Sequence, residues 1–298
     1  MKSGVLIVNK PAGMTSHDAV FRLRKLFQTK KAGHTGTLDP MATGVLPVLI
    51  GSAVKASEYL TAENKVYRAS LRFGKAYDTE DVWGKAVAES EKRPGKEEFF
   101  RACLAFPAEY DQVPPMVSAI KVGGKKLYEY AREGIELPRE ARRVRVDRVE
   151  ALSFSGEEAE IRVFCSKGTY IRTLIKDLCA SLGCLGAMSA LCREKSGAFG
   201  LESAVTMAAL ERMTKEEREA CVIPTEELFP DLPEIAPEGF ALHLIENGQP
   251  LSCRKYFPSA SFKPGRVRLY RKNAFFALGE ISQQEEDLVL QKIKEFHD

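Results

Sequence analysis

The chain has 298 residues, 44% hydrophobic and 29% charged, with a net charge of only +3. This is the composition of a globular protein with room for about two domains of roughly 150 residues each. No stretch approaches the ~18 apolar residues of a membrane span, and the apolar run at 5–8 is too short for a signal peptide, so a cytoplasmic, membrane-free protein is expected. The seven cysteines are scattered without a C-x-x-C pair and the four histidines form no H-x-x-x-H. Reduced thiols, no metal site and no metal chemistry are expected.

In chain order, residues 1–57 carry eight basic residues and only two acids, Asp18 and Asp39. Ser16 is the predicted cap of a helix whose apolar positions Ala19, Val20, Leu23, Leu26 and Phe27 recur at helical spacing. A glycine-punctuated loop follows, from Gly33 to Gly44, and runs into the apolar segment 45–50. It presents a single carboxylate, Asp39, in a basic surround that suits an anionic partner. On its own, Asp39-Pro40 is also an ordinary turn dipeptide.

Residues 65–73 alternate as a strand, with Tyr67, Ala69, Leu71 and Phe73 on the more apolar face. Basic residues outnumber acids nine to five over 121–148. Ile161, Val163 and Cys165 alternate in another strand, which ends at Ser166-Lys167-Gly168-Thr169. Thr169 is the predicted cap of the next helix, Ile171, Leu174, Ile175, Leu178 and Leu182 its buried stripe, and Gly183 its terminator. Arg172 would lie in the first turn, where the helix dipole mildly disfavours a guanidinium. It either meets a carboxylate, which Arg grips bidentately, or runs out into water.

Residues 200–238 hold ten acids against three bases, and Pro224, Pro230, Pro233 and Pro237 fall close together, which places the linker there. Beyond it, 247–279 holds seven bases and no acid. Its short strands, at 265–270 and 274–281, predict a small β-rich module. Basic regions separated by an acidic connection suit a polyanion lying along one side of the molecule.

Several of these segments combine into a family pattern. The run G-x-L-D-P-x-A-x-G-x-L-P is complete at Gly36–Pro47, with Lys10-Pro11-x-Gly13 before it and Tyr67 in its strand. Pro115-Met116-Val117-Ser118-Ala119-Ile120-Lys121 and Lys167-Gly168-Thr169-Tyr170-Ile171-Arg172 follow in order. Over essentially the whole chain this resembles the TruB family of tRNA pseudouridine synthases.

The resemblance implies an α/β (α+β) pseudouridine synthase fold, with a mixed, largely antiparallel central sheet flanked by helices. It assigns residues 1–232 to a catalytic domain carrying an RNA-clamping insertion at about 115–148, and 239–298 to a PUA-like RNA-binding domain. It also implies cofactor-free isomerisation of the T-loop uridine at position 55 of tRNA, with a folding-chaperone role beside it, by a monomer needing no protein partner. Asp39 matches the essential aspartate, as nucleophile at the sugar or as base at C2′. Tyr67 matches the tyrosine that packs on the base and takes the C5 proton, and Arg172 the arginine that pairs with the aspartate. His34 matches the residue that fills the vacated base stack. Tyr170, Leu191, Lys10, Gly36 and Thr37 complete the substrate-contacting set, with Lys10 and Pro11 supporting the loop. Two departures stand out: Asn9 where an Asp often precedes Lys-Pro, and Cys192 where a second Arg is common.

Other chemistries fit less well. A glycosidase needs a second carboxylate beside the first, and the glycine-rich loop lacks a P-loop's G-x-x-x-x-G-K-[ST]. Two alternatives stand beside it: a non-catalytic tRNA-binding module, which has no use for Asp39, Tyr67 and Arg172 because RNA binding gains nothing from an anion next to phosphates, and a guide-RNA-dependent homologue, expected instead to carry a long N-terminal extension and a basic tail.

Overall fold

The computed structural model describes residues 2–258 and 260–296. Its main body is one eleven-stranded mixed sheet. Strands β1 (Gly4–Lys10), β2 (Ala32–His34) and β3 (Thr43–Ile50) form one half; β4 (Lys65–Phe73), β5 (Glu109–Gln112), β6 (Arg142–Phe154), β7 (Glu158–Cys165) and β8 (Gly186–Ser196) make up most of the rest. The order is β1-β3-β8-β4-β7-β6-β5, with β2 on β3. Every pairing along this path is antiparallel except β3 with β8. That parallel contact at the centre lets the 33–43 loop and the 171–181 helix open at the same end of the sheet.

Burial explains the halves. In β1 and β3 successive side chains enter different cores: Leu6, Val8, Leu46, Val48 and Ile50 face one cluster, Val5, Ile7, Val45 and Leu49 the other. These strands therefore read as continuous apolar runs. In β4 only Lys65, Tyr67, Ala69, Leu71 and Phe73 are buried. Its other face is solvated, where Arg68 grips Glu160 and Arg72 grips Glu158 on the neighbouring strand. Helices α1 (Ser16–Leu26), α2 (Lys96–Leu104) and α4 (Ile171–Ser181) contribute to the larger core. A fully buried Leu or Ile such as Leu23, Leu174 or Ile175 contributes about 1.5–3 kcal/mol.

Both predicted caps shift by one residue. Thr15, not Ser16, caps α1 through a capping box with Asp18. Ser16 is buried and exchanges hydrogen bonds with the backbone of Leu38 instead, so the hydroxyl fastens the glycine-rich loop. Tyr170, not Thr169, precedes α4 and offers no side-chain cap. Thr169 Oγ1 turns back to the Ser166 carbonyl, and the Tyr170 N–H is taken by Gln112 Oε1. Gly183 ends the helix as expected, at φ +63.

The 115–148 segment takes two forms. A hairpin at 121–126 leads into helix α3 (Leu127–Arg132), whereas 142–148 begin β6 and belong to the central sheet. Apolar alternation at Val144, Val146 and Val149 pulls that end of the segment into the core. The proline-rich connection is likewise tethered at both ends: Ile223–Pro224 pair with β1 and Glu234–Ile235 with the C-terminal sheet.

That second sheet has five strands and its own core. Its long members are β9 (Gly265–Arg271), β10 (Ala274–Gln284) and β11 (Asp287–Glu295), with helix α5 (Gly239–Glu246) packed against them. It meets the body through Phe229, Leu278, Phe296 and Ala56, ringed by Tyr59 and Phe275. Among the described residues no helix is long and apolar enough to cross a membrane.

Candidate active site

Asp39 sits in a loop shaped by cations that bind its backbone. Lys10 ends β1 fully buried, and its Nζ donates to the carbonyls of Met14 at 2.6 Å, Pro11 at 2.9 Å and Pro40 at 3.1 Å. Burial lowers its pKa to about 8, with the Asp39 charge acting the other way. Arg193, from the neighbouring strand β8 and also buried, donates to Val45 O at 2.6 Å and Gly36 O at 3.1 Å. Gly44 makes room for it: at φ +101, a Cβ there would lie 2.3 Å from the Arg193 carbonyl oxygen. The loop's chemistry is thus left to one side chain.

That side chain is held from the opposite wall. Arg172, the second residue of α4, donates Nε to Asp39 Oδ2 at 2.9 Å and Nη2 to Oδ1 at 3.2 Å. The arginine is 4% exposed but the carboxylate 35%, so the pair is fixed from behind and open in front. Two of the remaining three guanidinium protons go to the carbonyls of Thr79 and Val117, each at 2.9 Å. A second carboxylate, Asp81, lies 3.8 Å from Arg172 Nε. Burial raises its pKa, against the pull of the Thr79 hydroxyl and the guanidinium.

Tyr67 is buried on β4, in register with Arg193 on one side and Val163 on the other. Burial raises its phenol pKa, the Arg193 charge opposing, and the Asp39 carboxylate is among the charges it senses. Arg172 therefore grips Asp39 from the helix, while Tyr67 lies on the sheet within the field of that carboxylate. His34 stands on β2, its Nδ1 buried without a hydrogen-bond partner. Burial lowers its pKa first, then the charges of Arg193 and His17. Tyr170 is half-buried above Gln112, its phenol pKa also raised by burial. Leu191 is buried beside Thr43, and Thr37 is exposed. Of two residues expected to touch substrate, Lys10 faces inward and Gly36 is half-buried. The lysine amine is occupied by carbonyls, and the Gly36 carbonyl is held by Arg193, so both act as loop supports.

Two family models match. A TruB family pseudouridylate synthase N-terminal domain covers residues 24–171, and a tRNA pseudouridylate synthase B C-terminal domain covers 172–229. The chain belongs to the TruB family of pseudouridylate synthases. A tRNA pseudouridine synthase B of Chromobacterium violaceum is 45% identical over 282 residues, 93% of this chain and 90% of that protein. Another, from Aromatoleum aromaticum, is 43% identical over 277 residues, 93% of this chain and 88% of that one. Among solved structures, a Cbf5-Nop10-Gar1 complex contains a chain of the same fold, with TM-score 0.71 and 26% identity over 99% of this chain and 85% of that one. The central mixed sheet is that of the pseudouridine synthase fold, and the β-rich unit is a separate addition at its C-terminal side.

Three parts of the candidate site carry no local sequence signal: Arg193, Asp81 and the Thr79 carbonyl. Arg193 follows Cys192 in a strand whose pattern says nothing about an inward guanidinium. Its clue is the close approach of Gly44, visible only once β3 and β8 are paired. Asp81 lies in a stretch of mixed character, Asp78-Thr79-Glu80-Asp81, that reads as a solvated turn.

Proposed function

We propose that this TruB-family enzyme converts uridine to pseudouridine in tRNA, at the T-loop uridine of position 55, as a cytoplasmic monomer without cofactor, guide RNA or protein partner. The observation that carries the reading is the Asp39 carboxylate, gripped at both oxygens by a buried arginine while about a third of it stays open. Such a group is oriented and cannot be drawn inward, and its open edge is where a sugar can approach.

The reaction breaks the N-glycosidic bond, turns the uracil and joins C5 to the ribose, with no net change in atoms or oxidation state. Asp39 serves it either as nucleophile at C1′ or as base at C2′. Arg172 fixes the carboxylate along one edge and leaves lone pairs on both oxygens for the sugar. Tyr67 gives the base an apolar wall. Its raised pKa keeps the resting phenol protonated, so taking the C5 proton relies on the nearby Arg193 charge to favour the phenolate.

The target base is stacked and must be extruded, at a cost of a few kcal/mol. His34 suits the vacated position: burial favours the neutral ring, which can enter a base stack without bringing a charge out of water. Exposed cations of the C-terminal unit, such as Lys263 and Lys272, supply phosphate contacts in a PUA-like manner. A tRNA-folding role would use the same surface.

The test is to incubate the purified chain alone with an unmodified tRNA transcript and map pseudouridine. Product at one T-loop uridine supports the reading. Product only after a guide RNA is added would move the protein to the guide-dependent class, and binding without product would make it a tRNA-binding module.

A further inference from the structure

The loop between the short strands Lys75–Tyr77 and Ala86–Glu89 is built to be rigid. Asp78 Oδ1 accepts from the Lys85 N–H at 2.8 Å, and Thr79 Oγ1 donates to Asp81 Oδ1 at 2.7 Å. Glu80 adopts φ +64, uncommon for a residue with a side chain. Its carboxylate is tied to α4 by Thr173 Oγ1 at 2.6 Å and by Lys176 Nζ. Backbone bonds to Met188 fasten the loop to β8 as well. Gly84 closes it, since a Cβ there would lie 2.2 Å from Thr79 Oγ1.

On this frame stands Trp83, the only tryptophan in the chain, 46% exposed. A single exposed apolar side chain is ordinary on a protein surface. This one differs in its position. Its N–H donates to Asp81 Oδ1 at 3.2 Å, Asp81 Oδ2 lies 3.8 Å from Arg172 Nε, and that nitrogen donates to Asp39 at 2.9 Å. A short relay of polar groups thus connects the backbone of Trp83 with the open carboxylate. Two residues beyond Asp39, Met41 is 38% exposed. Two large, partly exposed apolar side chains, those of Trp83 and Met41, thus stand on segments joined to the Asp39–Arg172 pair.

Drawing one base out of a nucleic acid disturbs the stacking of the bases on both sides of it, and His34 can fill only the single gap that is left. Every base has a π-face, and a rigid aromatic ring meets it at little entropic cost. We propose that Trp83 is a stacking platform for an unpaired base of the RNA next to the flipped uridine. The proposal rests on the tRNA reading above and extends it to a residue outside the reacting groups.

Because Trp83 is the sole tryptophan, its emission reports on this position alone. Titrating the intact protein with an unmodified T-arm stem-loop should quench that emission saturably, with the midpoint of RNA retention on a filter. Trp83→Ala should raise KM for the stem-loop about tenfold or more while kcat stays within about twofold, and Trp83→Phe should recover most of the loss. An indole whose emission stays unchanged in a complex that forms and turns over, or an unaltered KM in Trp83→Ala, overturns the platform and leaves the synthase reading intact. Failure of the wild-type protein to retain the stem-loop at all overturns both.

Discussion

The body and the C-terminal unit are both rich in cations but use them differently. In the body, Lys10, Arg172 and Arg193 are buried and spend their donors on backbone carbonyls or on Asp39. In the C-terminal unit most cations lie at the surface, although Arg268 and Lys292 are half-buried and each also donates to a backbone carbonyl. There Arg268 pairs with Glu234 and Arg271 with Glu246, acids that lie outside the basic stretch 247–279. In the 121–148 stretch Arg143 likewise pairs with an acid from outside it, Glu109. A charge count along the sequence therefore overstates the field that an RNA meets, and burial decides whether a cation builds a site or attracts a polyanion.

The sharpest way to break this contrast is at the carboxylate that the buried cations serve. Asp39→Asn should lower turnover by about three orders of magnitude or more, because the amide can act neither as nucleophile nor as base. Retention of tRNA on a filter should stay within a fewfold of wild type. Joint loss of both would mean that Asp39 itself holds the loop together, in place of Lys10 and Arg193.

Arg193→Met tests a buried cation that builds shape. It strands the buried carbonyl of Val45, an unpaired acceptor costing about 1–3 kcal/mol, and the half-buried carbonyl of Gly36, which water can partly serve. The denaturation midpoint should fall by a corresponding amount at unchanged slope. A stability equal to wild type would show that water replaces the guanidinium and that the loop needs no brace.

The ease of reading these parts from the sequence follows the same division. Asp39 and Arg172 are legible because a glycine-rich loop with one acid and a first-turn arginine each lack a partner locally, and each supplies the other's. The stripe of α4 and the alternation of β4 are legible because burial on one face leaves a period. Arg193 and Asp81 are not, since the partners of the first are main-chain carbonyls and that of the second is a side chain far along the sequence, and only the tertiary fold brings them close. The caps show the limit on a small scale. Thr15 and Ser16 are equally good candidates on paper, and only the docking of Leu38 onto Ser16 assigns the cap to Thr15.

Exposed cations of the C-terminal unit give the next smaller effect. Lys263 and Lys272 are exposed and make no ion pair among the described residues, whereas Arg271 is engaged by Glu246. Replacing both lysines with Gln should flatten the slope of log affinity against log salt by about 1–2, since each phosphate that a cation neutralises accounts for roughly 0.7–0.9 of that slope. Arg271→Gln should change it less. Equal slopes for all three proteins would remove this face from the RNA path.

The smallest effect is a pH dependence that sets activity against stability. Burial brings the Lys10 pKa to about 8, so above that pH the amine loses one of the three protons it shares among the carbonyls of Pro11, Met14 and Pro40, and the Asp39 loop loosens. Turnover should therefore decline above about pH 8. The sign for folding is opposite. Between about 8 and the ordinary lysine value of 10.5 the unfolded chain binds more protons than the folded one, so this group favours folding increasingly as pH rises through that window. Lys65, also brought to about 8 by burial, adds to stability in the same sense, but it holds the carbonyls of Thr61 and Glu63. The Tyr67 phenol titrates above its usual 10 and cannot account for a limb near 8. Lys10→Met should be less active and lack that limb, while Lys65→Met should retain it. If wild-type activity and denaturation midpoint instead fell together above pH 8, the decline would be unfolding, and Lys10 would have no separate hold on the loop.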